Sequence, residues 1–549
     1  MNLPLLIIAL IWLIGTCFRI YKQARFFQIE EYMGGRYLHW TFARRERWLL
    51  RRPIMAWIGA GVIGFVLSEA PGDVLLMIIG IISAIIAVWP PDEGEIKKAF
   101  RSTPRAKRML GAAFVVATFD LVLYLFILSK LPIPDMGAIR FGVYGFVGLF
   151  LFLSAPFILI AGNLLMTPVE AFFRRQFINR ARGVLDDVQP KVIGITGSYG
   201  KTSTKTYLAN ILNGRYKTYP TPKSYNTLMG VSMAINNDLA GDHSVEYFIC
   251  EMGAYIPGEI ERIADLTQPS IGIVIEIGPQ HLERFGTLEN TATAKYELIK
   301  ALPADGLGVF NWDNPYVRAM YEKGYPQNRI AVSREVDPAN IPAGGPRFIA
   351  SDVSEGLDGL RFTVTDTQTG SQEIFETPLL GQHNVTNLLL ATAVAIHEGM
   401  SLKDVARRVR SLQPAESRLV RRVSAEGITI INDAYSANPA GVVSALQVLS
   451  LHQTGRRLLI TPGMVELGSV MEAENRKLGE IAADHATDVI LVGQQQTAPI
   501  KTGLQAAGFP ADHLQVVDTL AESVAWYQAN LKAGDTVLFL NDLPDTYTS

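Results

Sequence analysis

The segment Thr196-Gly197-Ser198-Tyr199-Gly200-Lys201-Thr202 packs glycines, hydroxyls and a lysine into one short stretch. An apolar run, Lys191-Val192-Ile193-Gly194-Ile195, precedes it and reads as a strand; residues 203–212 follow and read as a helix. A strand, a glycine-rich turn and a helix make the arrangement that holds phosphate. Backbone N–H groups and the helix N-terminus face the anion, Lys201 adds a positive charge, and Thr202 offers an oxygen for Mg²⁺. Ile195 stands where the usual phosphate loop has its first glycine, so this is a shortened version of that pattern. A glycine-rich turn with no ligand is the plain alternative, and the segments downstream argue against it.

Those segments come in a fixed order. They are Ser224-Tyr225-Asn226-Thr227-Leu228-Met229-Gly230-Val231, then Glu251-Met252-Gly253-Ala254, then Gln280-His281-Leu282-Glu283-Arg284-Phe285-Gly286 and Ala294-Lys295. Leu380-Gly381-Gln382-His383-Asn384, Arg418 and Asp433-Ala434-Tyr435-Ser436-Ala437-Asn438 complete the series. With the loop, the set resembles the motifs of the Mur ligase family, and within it most the branch that adds D-alanyl-D-alanine. The likeness runs from Lys191 to the last strand, about two thirds of the chain. An ordered set of this kind is far more specific than any one motif.

The resemblance implies an ATP-dependent amide-forming ligase with ATP and Mg²⁺ as cofactors. A carboxylate takes the γ-phosphoryl group, an amine attacks the acyl phosphate, and phosphate leaves. Such a transfer needs in-line positioning and neutralised charge. Thr196, Gly197, Ser198, Tyr199, Gly200, Lys201, Thr202 and Ser203 would hold the phosphates. Thr202 and Glu251 suit the nucleotide Mg²⁺, which favours hydroxyl, carboxylate, water and phosphate oxygens. The resemblance puts a second Mg²⁺ on His281 and on a carbamylated Lys295, so that two metals clamp the attacking and transferred groups. It also puts Asn384 on adenine, Arg418 on phosphate and Asp433 on ribose. Lys201, Glu251, His281 and Lys295 form the expected catalytic set; Asn226, Tyr435 and Asn438 are expected to face the substrates. Each has a plainer reading. Glu251 could be a solvated strand-end carboxylate, His281 a surface or capping residue, Lys295 an exposed helix lysine and Asp433 a turn acid.

The elements that must position these residues read as α/β. Strands and helices alternate over residues 191–412, which predicts a P-loop-type central ATP-binding domain with a mostly parallel sheet. A second, Rossmann-like α/β domain is expected over residues 413–549. Open sheets of this kind bind ligands at the C-terminal ends of their strands, where the loop, Glu251 and Asp433 all stand.

The N-terminal third differs in kind. Hydrophobic residues make up 48% of the 549 and charged ones 19%, which is too apolar for an ordinary soluble chain. Runs at 3–18, 54–67, 74–89, 109–128 and 141–165 predict an α-helical membrane region of about five spans within residues 1–166. The second and third runs are short, with a turn-like stretch at 68–73 between them, and a non-crossing hairpin remains open there. Basic residues cluster at 19–52, at 97–108 (including Lys97 and Lys98) and in the amphipathic linker 167–190, while the other loops are poor in them. Basic loops stay cytoplasmic, so the N-terminus is expected outside and the ligase domains inside a multi-pass inner-membrane protein. Asp120 lies in the fourth run; a snorkelling or paired acid is preferred there to a transport role. Arginines and aromatics interleave over 19–52, as in a segment lying on anionic lipid.

Residues 1–190 carry 21 Lys and Arg against 13 Asp and Glu, and the rest carries 29 against 39. A basic membrane part joined to an acidic enzyme fits this better than a nucleic-acid binder. Cys17 and Cys250 suggest neither a disulfide framework nor a zinc site. Two departures from the family pattern concern the substrate. Membrane runs stand where the family has a UDP-sugar domain, and the end of the chain, Asn541-Asp542-Leu543-Pro544-Asp545-Thr546-Tyr547, lacks the Lys-Gly-Ser-Arg type motif. The expected partners are a cell-wall precursor or polymer acceptor, an amino acid or dipeptide, the lipid bilayer and membrane wall-synthesis proteins. An ATP-driven transporter would need signatures that are missing. A non-catalytic scaffold would be expected to have lost Lys201, Glu251 or His281. A poly-γ-glutamate-type synthetase stays open.

Overall fold

The computed structural model describes residues 3–66, 73–90, 99–132, 137–415, 418–435 and 437–541. Residues 68–72 of the expected turn, Lys97, Lys98, Ser436 and the C-terminal residues 542–547 lie outside the described residues. The chain divides into two compact units, Met1–Arg175 and Gln176–Ser549.

The N-terminal unit is helical. Its apolar helices are Leu3–Ile29, Arg51–Val66, Asp73–Val88, Pro104–Lys130, Gly137–Leu153 and the start of Ala155–Val188; Gly34–Ala43 and Arg45–Trp48 are short helices between the first two. Among the described residues, three helices are long and apolar enough to cross a membrane: Leu5–Ile29, Pro104–Lys130 and Ala155–Val188. Arg51–Val66 and Asp73–Val88 have 16 residues each, below the range of about 17–25 that a crossing needs. Trp12, Phe27, Tyr37 and Met109 are packed inside, whereas Phe65, Val115, Phe119 and Leu164 point outward.

The run 141–165 is not one helix: it breaks at Ser154, between Gly137–Leu153 and Ala155–Val188. Pro156 is the cause, since it has no N–H for the Phe152 carbonyl and its ring crowds that turn. Arg19 Nη1 donates to the Phe152 carbonyl instead, at 2.8 Å. The second helix then continues to Val188 past residue 166, with Pro168 inside it.

The second unit holds two sheets. The larger has strands β1 (Lys191–Thr196), β2 (Thr218–Pro220), β3 (Tyr247–Glu251), β4 (Ile271–Val274), β5 (Leu307–Asn311), β6 (Asn328–Ser333), β7 (Phe348–Gly356), β8 (Gly359–Asp366) and β9 (Gln372–Thr377). Their order is β2-β3-β1-β4-β5-β6-β7-β8-β9. Pairing is parallel through β7, after which β7, β8 and β9 form an antiparallel edge. The core strands are apolar on both faces, as a sheet covered on both sides requires; β3 and β4 are buried throughout. The smaller sheet runs β10 (Val420–Val423), β11 (Thr429–Asp433), β15 (Thr536–Leu540), β12 (Arg457–Thr461), β13 (Asp488–Val492) and β14 (Leu514–Val517), with only β10 antiparallel.

Register places the chemistry. Strand β1 lies between β3 and β4, with Ile195 opposite Glu251 and Thr196 opposite Val274. The glycine-rich turn leaving β1 therefore emerges beside Glu251 on one side and the Ile275-Glu276 segment on the other.

Candidate active site

The turn is held by its own polar groups. Ser198 N–H donates to Glu276 O at 2.7 Å, and the Ser198 hydroxyl donates to Gly278 O at 3.1 Å. Thr196 donates to Met252 O at 2.9 Å. Gly200 opens the helix Lys201–Leu212 at φ +80°, a left-handed conformation that favours glycine. A Cβ there would also meet Asn387 Oδ1 at 2.6 Å. Lys201 folds back so that Nζ donates to Gly197 O at 2.7 Å and Ser198 O at 3.3 Å. Burial pushes its ammonium down to about 8, against the pull of Glu251 and with the push of Arg418.

Glu251 is the hub. It is 1% exposed at the end of β3. Its Oε2 accepts from Thr202 Oγ1 at 3.1 Å and Lys205 Nζ at 3.0 Å, and its Oε1 accepts from Asn226 at 3.1 Å. Burial alone would raise this carboxyl; Lys205, Lys201 and the hydrogen bonds outweigh it, and the net shift is downward. The group is an ionised carboxylate beside a threonine hydroxyl. Lys205 went unread in the sequence. It stands one turn after Lys201 and three residues after Thr202, which puts Thr202 and Lys205 on one helix face.

Lys295 is 3% exposed, on the helix Leu288–Lys300. Among the described residues its amine has no hydrogen bond; the Phe285 ring lies 5.9 Å from Nζ. Burial, and then Lys201, lower its pKa well below the ordinary value. The exposed-lysine reading is excluded. His281 has φ +55° at the start of the short helix Leu282–Phe285, and its Nδ1 contacts a Glu466 carboxylate oxygen. Burial lowers its pKa, with Glu466 opposing.

A cavity of about 240 Å³ adjoins the turn. Tyr199, Gly200, Ser203 and Asn384 line it from the larger sheet's side, and Arg418, Asp433 and Asn438 from the smaller sheet's side. Arg418 reaches across to Thr202 Oγ1 at 3.4 Å and lies 4.4 Å from the Tyr435 ring centre. Tyr435 itself is half exposed, with its hydroxyl against Ser224. Asp433 accepts from Leu419 N–H at 3.1 Å; burial pushes its carboxyl up to about 6. The amide of Asn384 is engaged by Leu380 O, Tyr207 and Asn387, and Asn438 Oδ1 caps the helix Pro439–Ser450. Glu276, Asn314, Arg334 and Asn387 also line the cavity, and sequence reading did not single them out.

Among the described residues no three His, Cys, Asp or Glu side chains form a metal cage. Mg²⁺ on a nucleotide does not need one, because water and phosphate oxygens complete its shell. Thr202 and Glu251, 3.1 Å apart, fit that role.

Comparison with known proteins decides the family. Residues 195–395 match the Mur ligase middle domain, and residues 417–541 match the Mur ligase, glutamate ligase domain. The UDP-N-acetylmuramoyl-tripeptide–D-alanyl-D-alanine ligase of Escherichia coli (strain K12) is 31% identical over 355 residues, 65% of this chain and 76% of that protein. The chain belongs to the Mur ligase family. The enzyme of the same name from Mycobacterium tuberculosis (strain ATCC 25618 / H37Rv) is 33% identical over 63% of this chain and 69% of its own length. Among solved structures, MurF from Acinetobacter baumannii superposes with a TM-score of 0.57 at 26% identity, covering 67% of this chain and 77% of that one. MurF from Thermotoga maritima, solved with ADP, shares the fold with a TM-score of 0.58 at 23% identity, over 68% of this chain and 81% of that one. As a Mur ligase this chain is an ATP-dependent enzyme that forms carbon–nitrogen bonds with ATP and Mg²⁺. Both matched domains lie after residue 194.

Proposed function

We propose that this Mur ligase joins D-alanyl-D-alanine to a peptide carboxylate of a muramoyl precursor, at the cytoplasmic face of the membrane. The observation that carries the reading is Glu251. An ionised, buried carboxylate held by Lys205, Asn226 and Thr202 at the mouth of a phosphate turn suits phosphoryl transfer to a carboxylate. The names of the relatives supply the dipeptide and the precursor.

The roles follow from position. The turn from Thr196 to Ser203 holds the phosphates, with Lys201 released from Gly197 and Ser198 to the anion. Thr202 and Glu251 would hold a Mg²⁺, which would supply charge neutralisation on the phosphates. Arg418 lies close enough to the turn to meet the same phosphates. Asp433 takes the ribose and Asn384 the adenine side; Asn226, Tyr435 and Asn438 border the substrates. Lys295 is a buried amine of lowered basicity with no hydrogen bond among the described residues. Its neutral form adds CO₂ and releases a proton, leaving a carbamate whose oxygens, with His281, suit a second Mg²⁺. The donor carboxylate attacks the γ-phosphorus and ADP leaves. The amine then attacks the acyl carbon, loses its proton, and expels phosphate.

The domain limits expected from sequence, 1–166, 167–190, 191–412 and 413–549, belong to this reading. So does a bilayer around the N-terminal helices, with the N-terminus outside; the outward-facing Phe65, Val115, Phe119 and Leu164 support it. The test is isotopic. A donor peptide labelled with ¹⁸O in its carboxylate should pass one label into each phosphate released. Phosphate carrying oxygen from solvent water instead would rule out the acyl phosphate.

A further inference from the structure

A second cavity, of about 300 Å³, lies wholly within the N-terminal unit. Arg19, Lys22, Arg47, Arg51 and Arg52 line it, and among the described residues no Asp or Glu does. Arg19 is 6% exposed; its guanidinium donates to the carbonyls of Phe152 at 2.8 Å, Trp48 at 3.1 Å and Arg47 at 3.5 Å and lies 4.9 Å from the Phe152 ring centre. The Phe152 carbonyl is the one that Pro156 leaves without a donor. Arg47 donates to Trp40 O at 2.8 Å and stacks on that indole. Arg51 and Arg52 are exposed and make no ion pair among the described residues.

Helix capping explains Arg19 and stacking explains Arg47, but neither explains why four guanidiniums share one cavity. Arginine does not lose its proton in proteins, so the positive charge persists whatever the pH. Converging like charges cost free energy unless an anion joins them. Guanidinium groups match phosphate oxygens in shape and charge. Apart from Gln23, the rest of the wall is apolar, with Phe18, Val88 and Trp89. A small inorganic anion would make no use of that surface, whereas a lipid chain would.

We propose that this cavity binds the phosphate headgroup of a membrane lipid, with the arginines on the phosphate and the apolar wall against the chain. The proposal rests on the reading that the N-terminal unit lies in a bilayer. It adds a lipid-phosphate site to an enzyme whose proposed ligands are a nucleotide and peptides, and it needs no contribution from the ligase unit.

The test uses the full chain in non-ionic detergent, titrated with phosphatidylglycerol or phosphatidylcholine and read by native mass spectrometry. A single phosphatidylglycerol should saturate the chain and bind about tenfold more tightly than phosphatidylcholine, as charge-assisted hydrogen bonds of this kind warrant. The double variant Arg51→Gln/Arg52→Gln should lose that preference; both positions are exposed, so packing is left intact. Millimolar inorganic phosphate should fail to displace the lipid. Equal binding of the two lipids, or an unchanged preference in the double variant, would overturn the proposal. Full displacement by phosphate would replace the lipid with a small anion and overturn it too. Recovery of the chain in the aqueous phase without detergent would instead remove the bilayer reading beneath it.

Discussion

Asp433 titrates where an experiment can follow it. Burial raises its carboxyl to about 6 from an ordinary 3.8. The folded state thus holds the proton to higher pH than the unfolded chain does. Its contribution to stability is complete below 3.8 and is lost as pH rises through about 6. Asp433→Asn should therefore flatten the fall in stability across that window, measured by thermal unfolding at a series of pH values. If Asp433 accepts from ribose hydroxyls, nucleotide affinity should drop as pH falls below about 6 in the wild type, and calorimetry should find no such drop in the variant. Lys295 gives a second prediction at this scale. Lys295→Met should raise the unfolding midpoint of the nucleotide-free protein in CO₂-free buffer, because a buried amine with no hydrogen bond among the described residues is replaced by an apolar chain of similar length. The same change should cut turnover by about 100-fold or more, as loss of a preorganised charge-stabilising group does. The burial of Lys295 was legible in principle. Thr291, Leu298 and Ile299 share its helix face at spacings of three and four, and all are buried. The Lys205–Glu251 pair was not, since strand β3 and the helix Lys201–Leu212 meet only in three dimensions.

Elements that carry both an apolar pattern and a motif were readable. Strand β1, its turn and the following helix stand where the sequence puts them. The antiparallel edge β7–β9 went unread because it bears none of the motifs, although β8 alternates clearly, with Leu360, Phe362 and Val364 buried about an exposed Arg361. The break at Ser154 was missed for a different reason: hydropathy is continuous there, and a single proline decides the geometry. At this scale Gly200 is the sensitive position. Gly200→Ala places a side chain at φ +80° and 2.6 Å from Asn387 Oδ1. It should cost about 1–3 kcal/mol in chemical denaturation, the range for one strained residue. It should also weaken ATP binding, because the turn opens to relieve the contact. A variant of wild-type stability and affinity would mean that the turn is more pliant than its hydrogen bonds suggest.

For the whole molecule, charge and hydropathy along the chain are enough to separate a basic helical part from an acidic enzyme. They do not say how many helices cross, because length decides that, and several of these helices are near the minimum. The bilayer reading predicts that the full chain stays in the membrane pellet after alkaline carbonate and leaves it only with detergent. It also predicts that protease added to intact spheroplasts removes an N-terminal tag and spares a C-terminal one. Cleavage of the C-terminal tag would reverse the orientation, and release by carbonate would make the attachment peripheral. The most direct test of the central claim is phosphate release from ATP and Mg²⁺ by the full chain in detergent, with D-alanyl-D-alanine and a muramoyl peptide offered in nucleotide-linked or lipid-linked form. Release should require both peptide partners and yield a product with the mass of acceptor plus dipeptide less one water, and Lys201→Ala should lose both signals. ATP binding with no ligated product from either form of the precursor would contradict that claim.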